Sequence, residues 1–183
     1  MLISKEYKEM NSQLHETIPD YGVGGHKWGS AVIDLCKSMN TANVLDYGCG
    51  KGTLQRSLPT LNVFNYDPAI PGWDEDPEPQ DLVVCTDVLE HIEPENLDDV
   101  LDDIAAKTNI TAFLNIATRP AVKILADGRN AHLIQETVDW WYPKLAERFE
   151  ILTLNVIPGS EFTVVCHKKG AAMRNGKAEK VGV

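Results

Sequence analysis

Apolar positions fall into two alternating patterns along this chain. Short apolar-rich runs at residues 42–46 and 81–85 read as buried strands, and those at 61–66 and 110–117 as two further strands. Between and after them, apolar residues recur every three or four positions. Ala31, Val32, Leu35, Cys36 and Met39 stripe a helix over 28–39, and residues 53–58 form a short one ended by Pro59. Pro94 opens a helix whose Leu97, Val100, Leu101 and Ile104 share a face. Val138, Trp141 and Leu145 stripe a helix over 137–148, where Pro143 is expected to kink it or mark its start. Two last β-rich runs, 150–156 and 162–167, flank Pro158-Gly159-Ser160 and predict an antiparallel pair. A weakly periodic helix over 3–15 precedes a loop rich in chain breakers.

Strands alternating with helices predict an α/β domain: a mainly parallel, Rossmann-like sheet with helices on both faces and a closing antiparallel strand pair. Ligands of such sheets lie beyond the carboxyl ends of the strands. That geometry gathers the loops after residues 46, 66, 86 and 117 around one crevice. The chain divides into an N-terminal helix and loop at 1–24, a domain at 25–167, and a basic tail at 168–183 expected to be disordered.

At 183 residues, the chain has room for one domain with a full core. Its net charge is −10, but from Lys168 onward five bases face one acid, so the preceding residues carry −14. A body that acidic repels a phosphate backbone, which disfavours nucleic acid as a partner. No apolar run is long enough to span a bilayer, and the charged N-terminus does not suit a secretion signal, so a cytoplasmic protein is expected. Cys36, Cys49, Cys85 and Cys166 lack zinc-site spacing; they read as reduced, buried thiols, and no metal site is expected.

The glycines at 48, 50 and 52 follow a strand and precede a helix. Alone they suit any tight strand-to-helix turn. Asp46 at the strand end and Asp67, 21 residues on at the next strand end, add two acids. A carboxylate at the second position can accept both ribose hydroxyls of an adenosine. An acid beside the turn disfavours a pyrophosphate, which wants bare N–H groups, and favours a cation.

The run Val44-Leu45-Asp46-Tyr47-Gly48-Cys49-Gly50-Lys51-Gly52 resembles motif I of class I S-adenosylmethionine-dependent methyltransferases. Residues 81–92, with Cys85-Thr86-Asp87-Val88-Leu89-Glu90-His91, resemble a later motif of the same superfamily in its type 11-like branch. The resemblance implies S-adenosylmethionine as cofactor. Asp46, Gly48, Cys49 and Gly50 would hold its amino-acid part, Asp67 its ribose, and Cys85 and Thr86 its methionine end. One departure stands out: only 13 residues separate Asp67 from Asp81, too few for the family's usual extra helix and strand. The sheet is therefore expected to be trimmed at one edge, with Pro68, Ala69, Ile70 and Trp73 as candidates for the adenine wall.

Acceptor chemistry is expected to fall on residues around the same crevice. His132 and His91 are candidate bases, and His26 and Trp28 candidates for the substrate entrance. Arg119 and Arg129 suit an anionic group on a small-molecule substrate; surface salt bridges are the plain alternative. The reading is methyl transfer to oxygen or nitrogen of a small metabolite. A nucleotide, sugar or nucleic-acid acceptor stays open, although the Asn/Asp-Pro-Pro-aromatic motif of amino-directed DNA methyltransferases is absent. So does a module that binds the cofactor without turnover.

Overall fold

The computed structural model describes residues 1–170. A six-stranded sheet is formed by β1 (Asn43–Tyr47), β2 (Asn62–Tyr66), β3 (Gln80–Thr86), β4 (Thr108–Ala117), β5 (Phe149–Ile157) and β6 (Glu161–Lys168). Its strand order is β2-β1-β3-β4-β6-β5. The first four strands run parallel, and β6 pairs antiparallel with both β4 and β5. The expected closing hairpin and the trimmed edge are both present: β2 is an edge strand, and residues 67–79 hold neither helix nor strand. Of the tail expected from residue 168, Lys168 ends β6, and residues 171–183 lie outside the described residues.

The helices are α1 (Lys5–Thr17), α2 (Gly29–Met39), α3 (Thr53–Ser57), α4 (Leu97–Lys107) and α5 (Val138–Arg148). Alternation along β3 shows why the central strands read as continuous apolar runs. Leu82 and Val84 pack with Val32, Cys36 and Leu54 of α2 and α3, while Val83 and Cys85 pack with Leu101 and Ile104 of α4 and Trp141 and Leu145 of α5. α5 starts at Val138 and runs through Pro143, with Trp141 fully buried two residues earlier. The four cysteines are free and buried. No helix among the described residues is long and apolar enough to cross a membrane.

The N-terminal segment is not a detached appendage. Tyr7 and Leu14 of α1 pack on Leu125 and Ala131, which follow β4. Ser4 caps α1 and bonds Glu93 at 2.6 Å, and the Tyr7 hydroxyl donates to the carbonyl of His91. These contacts lay α1 over the carboxyl ends of the strands.

Candidate functional site

The loop after β1 is built to sit tightly against its neighbours. A Cβ on Gly48 would stand 2.4 Å from Val88, and one on Gly50 would stand 2.5 Å from the carbonyl oxygen of Gly22; both residues have positive φ. Every backbone N–H from 48 to 52 is donated within the protein. Gly48 and Cys49 donate to the Tyr66 carbonyl at 2.8 and 3.0 Å, Lys51 to that of Gly22 at 2.8 Å, and Gly52 to that of Cys49 at 2.9 Å. Gly50 donates to Oδ2 of Asp67 at 3.0 Å. A pyrophosphate therefore finds no bare donor here.

Two acids flank this saturated loop. Asp67 is buried, and its Oδ1 also accepts from Ala69 at 3.0 Å. A carboxylate has about four acceptor positions. The two backbone bonds leave roughly two, as many as a ribose has hydroxyls. Asp46 is 3% exposed, and its Oδ2 has no partner. Burial, and then the charge of Asp67, pushes the Asp46 carboxyl up to about 7. A cation brought to this corner relieves both effects. The ammonium and sulfonium of S-adenosylmethionine fit these residues; a second anion would not.

Beside the loop lies a cavity of about 310 Å³, within the size range of small-molecule sites. Following the sheet order, its wall runs from Asp67, Pro68 and Ala69 through Gly48 and Gly50 to Asp87 and His91, then Arg119 and His132. α1 and the loop behind it add a roof containing Tyr7, Asn11, His15 and Tyr21. A second cavity of about 320 Å³ adjoins the first, sharing His15, Gly50 and Ala69, and contains Ile70 and Trp73. Trp73 folds back over the loop: a Cβ on Gly52 would meet its ring at 2.9 Å.

The cavity gathers Gly48, Gly50, Asp67, Pro68, His26, His91, Arg119 and His132 from the residues singled out in the sequence. Others lie elsewhere. Asp46 and Cys49 are buried under the loop, Cys85 is wholly buried among core side chains facing α4 and α5, and Thr86 is half-buried just before the turn. Trp28 packs on Phe113 at 5.2 Å, because its ring faces the sheet. Arg129 is paired with Asp127 at 2.7 Å in an exposed turn outside the cavity wall. Asp87, Glu90, Lys123 and the α1 residues were not singled out as site residues, yet they stand at or beside the cavity. The run from Asp87 to His91, with three ionisable side chains in five residues, is the signal that could have found the first two.

The histidines are held in defined orientations. Nδ1 of His91 lies 2.8 Å from the Ala131 carbonyl oxygen, and Nδ1 of His132 lies 2.6 Å from that of Arg119. A carbonyl only accepts, so each Nδ1 carries a proton, and in the neutral ring the lone pair sits on Nε2. Burial drives the His91 imidazole down to about 4; nearby Asp87 opposes this and His132 adds to it, so the ring is neutral near pH 7. Glu90 is fully buried, with Oε1 accepting from Ala117 at 2.8 Å; burial and then Asp87 hold its carboxyl well above the usual range.

Residues 24–174 match the family model of a methyltransferase domain. The chain belongs to that family. Solved structures with the same fold include the Burkholderia thailandensis 1,6-didemethyltoxoflavin-N1-methyltransferase bound to 1,6-didemethyltoxoflavin and S-adenosylhomocysteine. It is 16% identical, with a TM-score of 0.65 over 89% of this chain and 87% of that one. The Synechocystis magnesium protoporphyrin IX methyltransferase bound to S-adenosylmethionine is 14% identical, with a TM-score of 0.62 over 90% and 98%. The Bradyrhizobium japonicum N-methyltransferase NodS, in complex with S-adenosylhomocysteine, is 12% identical, with a TM-score of 0.62 over 89% and 99%. No curated protein sequence matches this methyltransferase-family chain. The family match and the shared fold agree with the class I resemblance carried by residues 44–52 and 81–92.

Proposed function

We propose that this protein transfers a methyl group from S-adenosylmethionine to oxygen or nitrogen of a small metabolite. The observation that carries the reading is the loop at 48–52, whose N–H groups are all satisfied internally while Asp46 and Asp67 flank it. The compounds named for two neighbours, 1,6-didemethyltoxoflavin and magnesium protoporphyrin IX, are small molecules and support the substrate class.

In this reading Asp67 binds the ribose hydroxyls with its remaining acceptor positions. Asp46 favours the ammonium electrostatically from beneath Gly48, Cys49 and Gly50. Pro68, Ala69, Ile70 and Trp73 supply the apolar wall for adenine. Thr86 and the backbone at Cys85 face the methionine end. When bound, the cofactor supplies an electrophilic methyl group, so the protein's main task is to align the acceptor with it. His91 and His132 each offer an Nε2 lone pair to take a proton from an O–H or N–H acceptor. Arg119, in no ion pair among the described residues, gives the cavity positive charge for an anionic group on that acceptor, whereas Lys123 is paired with Asp20 at 3.4 Å. His26, exposed in the helical turn at 24–28 that precedes α2, lies at the entrance, while Trp28 stiffens the base of that segment.

Calorimetric titration with S-adenosylhomocysteine, followed by turnover on a panel of hydroxylated, amino and carboxylated metabolites, tests the proposal. One site per chain and turnover of a panel member are expected. Binding without any turnover would favour a module that only holds the cofactor.

A further inference from the structure

Four side chains converge beside the cavity in a way that a proton-transfer role does not require. Asp87, Glu90, His91 and His132 each offer one ligand atom, and all four atoms lie within 4.8 Å of one another. In an octahedral shell with ligands at ~2.1 Å, opposite ligands stand roughly 4.2 Å apart. The observed spread is therefore close to a coordination shell before any side chain moves. We propose that these four residues bind one divalent transition-metal cation, with manganese, iron(II), cobalt or zinc as the chemical class.

Further observations point to a ligand. Glu90 is 0% exposed, its Oε2 meets no N–H or O–H donor, and the group beside it is a second acid, Asp87. A buried, orphaned carboxylate oxygen is costly unless something positive meets it. Among the described residues, neither Asp87 nor Glu90 belongs to an ion pair. Both histidines donate Nδ1–H to a backbone carbonyl, which presents Nε2 in the ligating tautomer and fixes the ring; metal-bound histidines are held in this way. Their rings lie 4.7 Å apart at 87°, so the two imidazoles meet at an angle rather than stacking. Finally, Asp87 adopts φ of 60°, a left-handed conformation uncommon outside glycine, which aims a short carboxylate from the turn after β3.

Two imidazoles and two carboxylates, with no thiolate, suit a borderline divalent ion. Two carboxylates also balance a charge of +2. Four protein ligands leave roughly two positions of an octahedron for water or a ligand. Asp87, His91 and His132 line the cavity, so those positions open into it. Resting on the methyl-transfer reading, the cation would bind an acceptor oxygen and lower its pKa, placing the histidines around a metal rather than on the proton.

The test is a titration of chelator-treated full-length protein with Mn²⁺, followed by loss of the free-ion paramagnetic resonance signal. A parallel Co²⁺ titration is read in the visible spectrum. Wild type and the surface variant D127N are expected to bind one ion per chain with the same affinity. D87N, which changes an exposed side chain, and H132A are expected to bind at least ~10-fold more weakly while keeping the wild-type circular dichroism. No stoichiometric binding of either ion by the wild type, or equal binding by folded D87N and H132A, overturns the site. Neither titration contains the methyl donor. A failure here is thus distinct from failure of the methyltransferase reading, which S-adenosylhomocysteine binding by the chelated protein tests by itself.

Discussion

The backbone N–H of Gly50 donates to Oδ2 of Asp67 at 3.0 Å, tying the loop after β1 to the acid at the end of β2. This bond makes Asp67 both a fastening for the loop and a candidate ribose acceptor. It also uses the one loop N–H that the backbone does not satisfy.

Replacing Asp67 with alanine removes both roles. Affinity for S-adenosylhomocysteine should fall by at least ~1–3 kcal/mol, the cost of leaving buried hydroxyls unpaired. Calorimetry on the folded variant checks this, and unchanged affinity would remove Asp67 from the ribose site.

Gly50→Ala probes the contact between the loop and the N-terminal segment. A side chain there faces the Gly22 carbonyl at 2.5 Å and carries a φ of 52°. Left-handed strain plus overpacking should cost roughly 2–5 kcal/mol. Gly128, with φ of 88° and open space around it, supplies the comparison. Gly128→Ala should lose only roughly 1–2 kcal/mol of strain. Denaturant midpoints compare the pair, and equal losses would contradict the packed loop.

Asp46 gives a pH signature. An unfolded aspartate ionises near ~3.9, whereas burial and Asp67 raise the folded value to about 7. Between those values the folded state holds the extra proton, so the Asp46 contribution to stability falls as pH rises through the window. His91, lowered to about 4, acts in the opposite direction, so the difference between wild type and Asp46→Asn isolates the carboxyl. Binding a cationic ligand should expel the proton. Titrations at pH 6 in buffers of different ionisation enthalpy should show proton release in the wild type and less in Asp46→Asn.

His132→Ala should spare S-adenosylhomocysteine binding and lower turnover of the identified acceptor by ~10²-fold or more. Wild-type turnover in that variant would exclude His132 from the chemistry.

The central sheet was legible because β1, β3 and β4 are sandwiched, so their sequences are apolar on both faces. The missing edge was legible from the short, proline-rich segment after Asp67. The roof was not. α1 has weak periodicity, and its role rests on distant partners such as Glu93, His91 and Leu125. Arg129 suggested anion binding by residue type, but local turn geometry gives it to Asp127. Trp28 suggested an entrance, yet burial against Phe113 turns it inward. The grouping of Glu90 with His132 joins the ends of two strands and was not read from spacing. Asp46 and Asp67, by contrast, sit at strand ends that the pattern locates, and the sheet brings those ends side by side.

A crystal structure with S-adenosylhomocysteine would show whether Asp46 and Asp67 hold the two ends of the cofactor. The ribose hydroxyls are expected on Asp67, the ammonium above the loop over Asp46, and the sulfur directed toward His91 and His132. An empty cavity at saturating ligand, or an anionic group seated on the loop at 48–52, would contradict that placement.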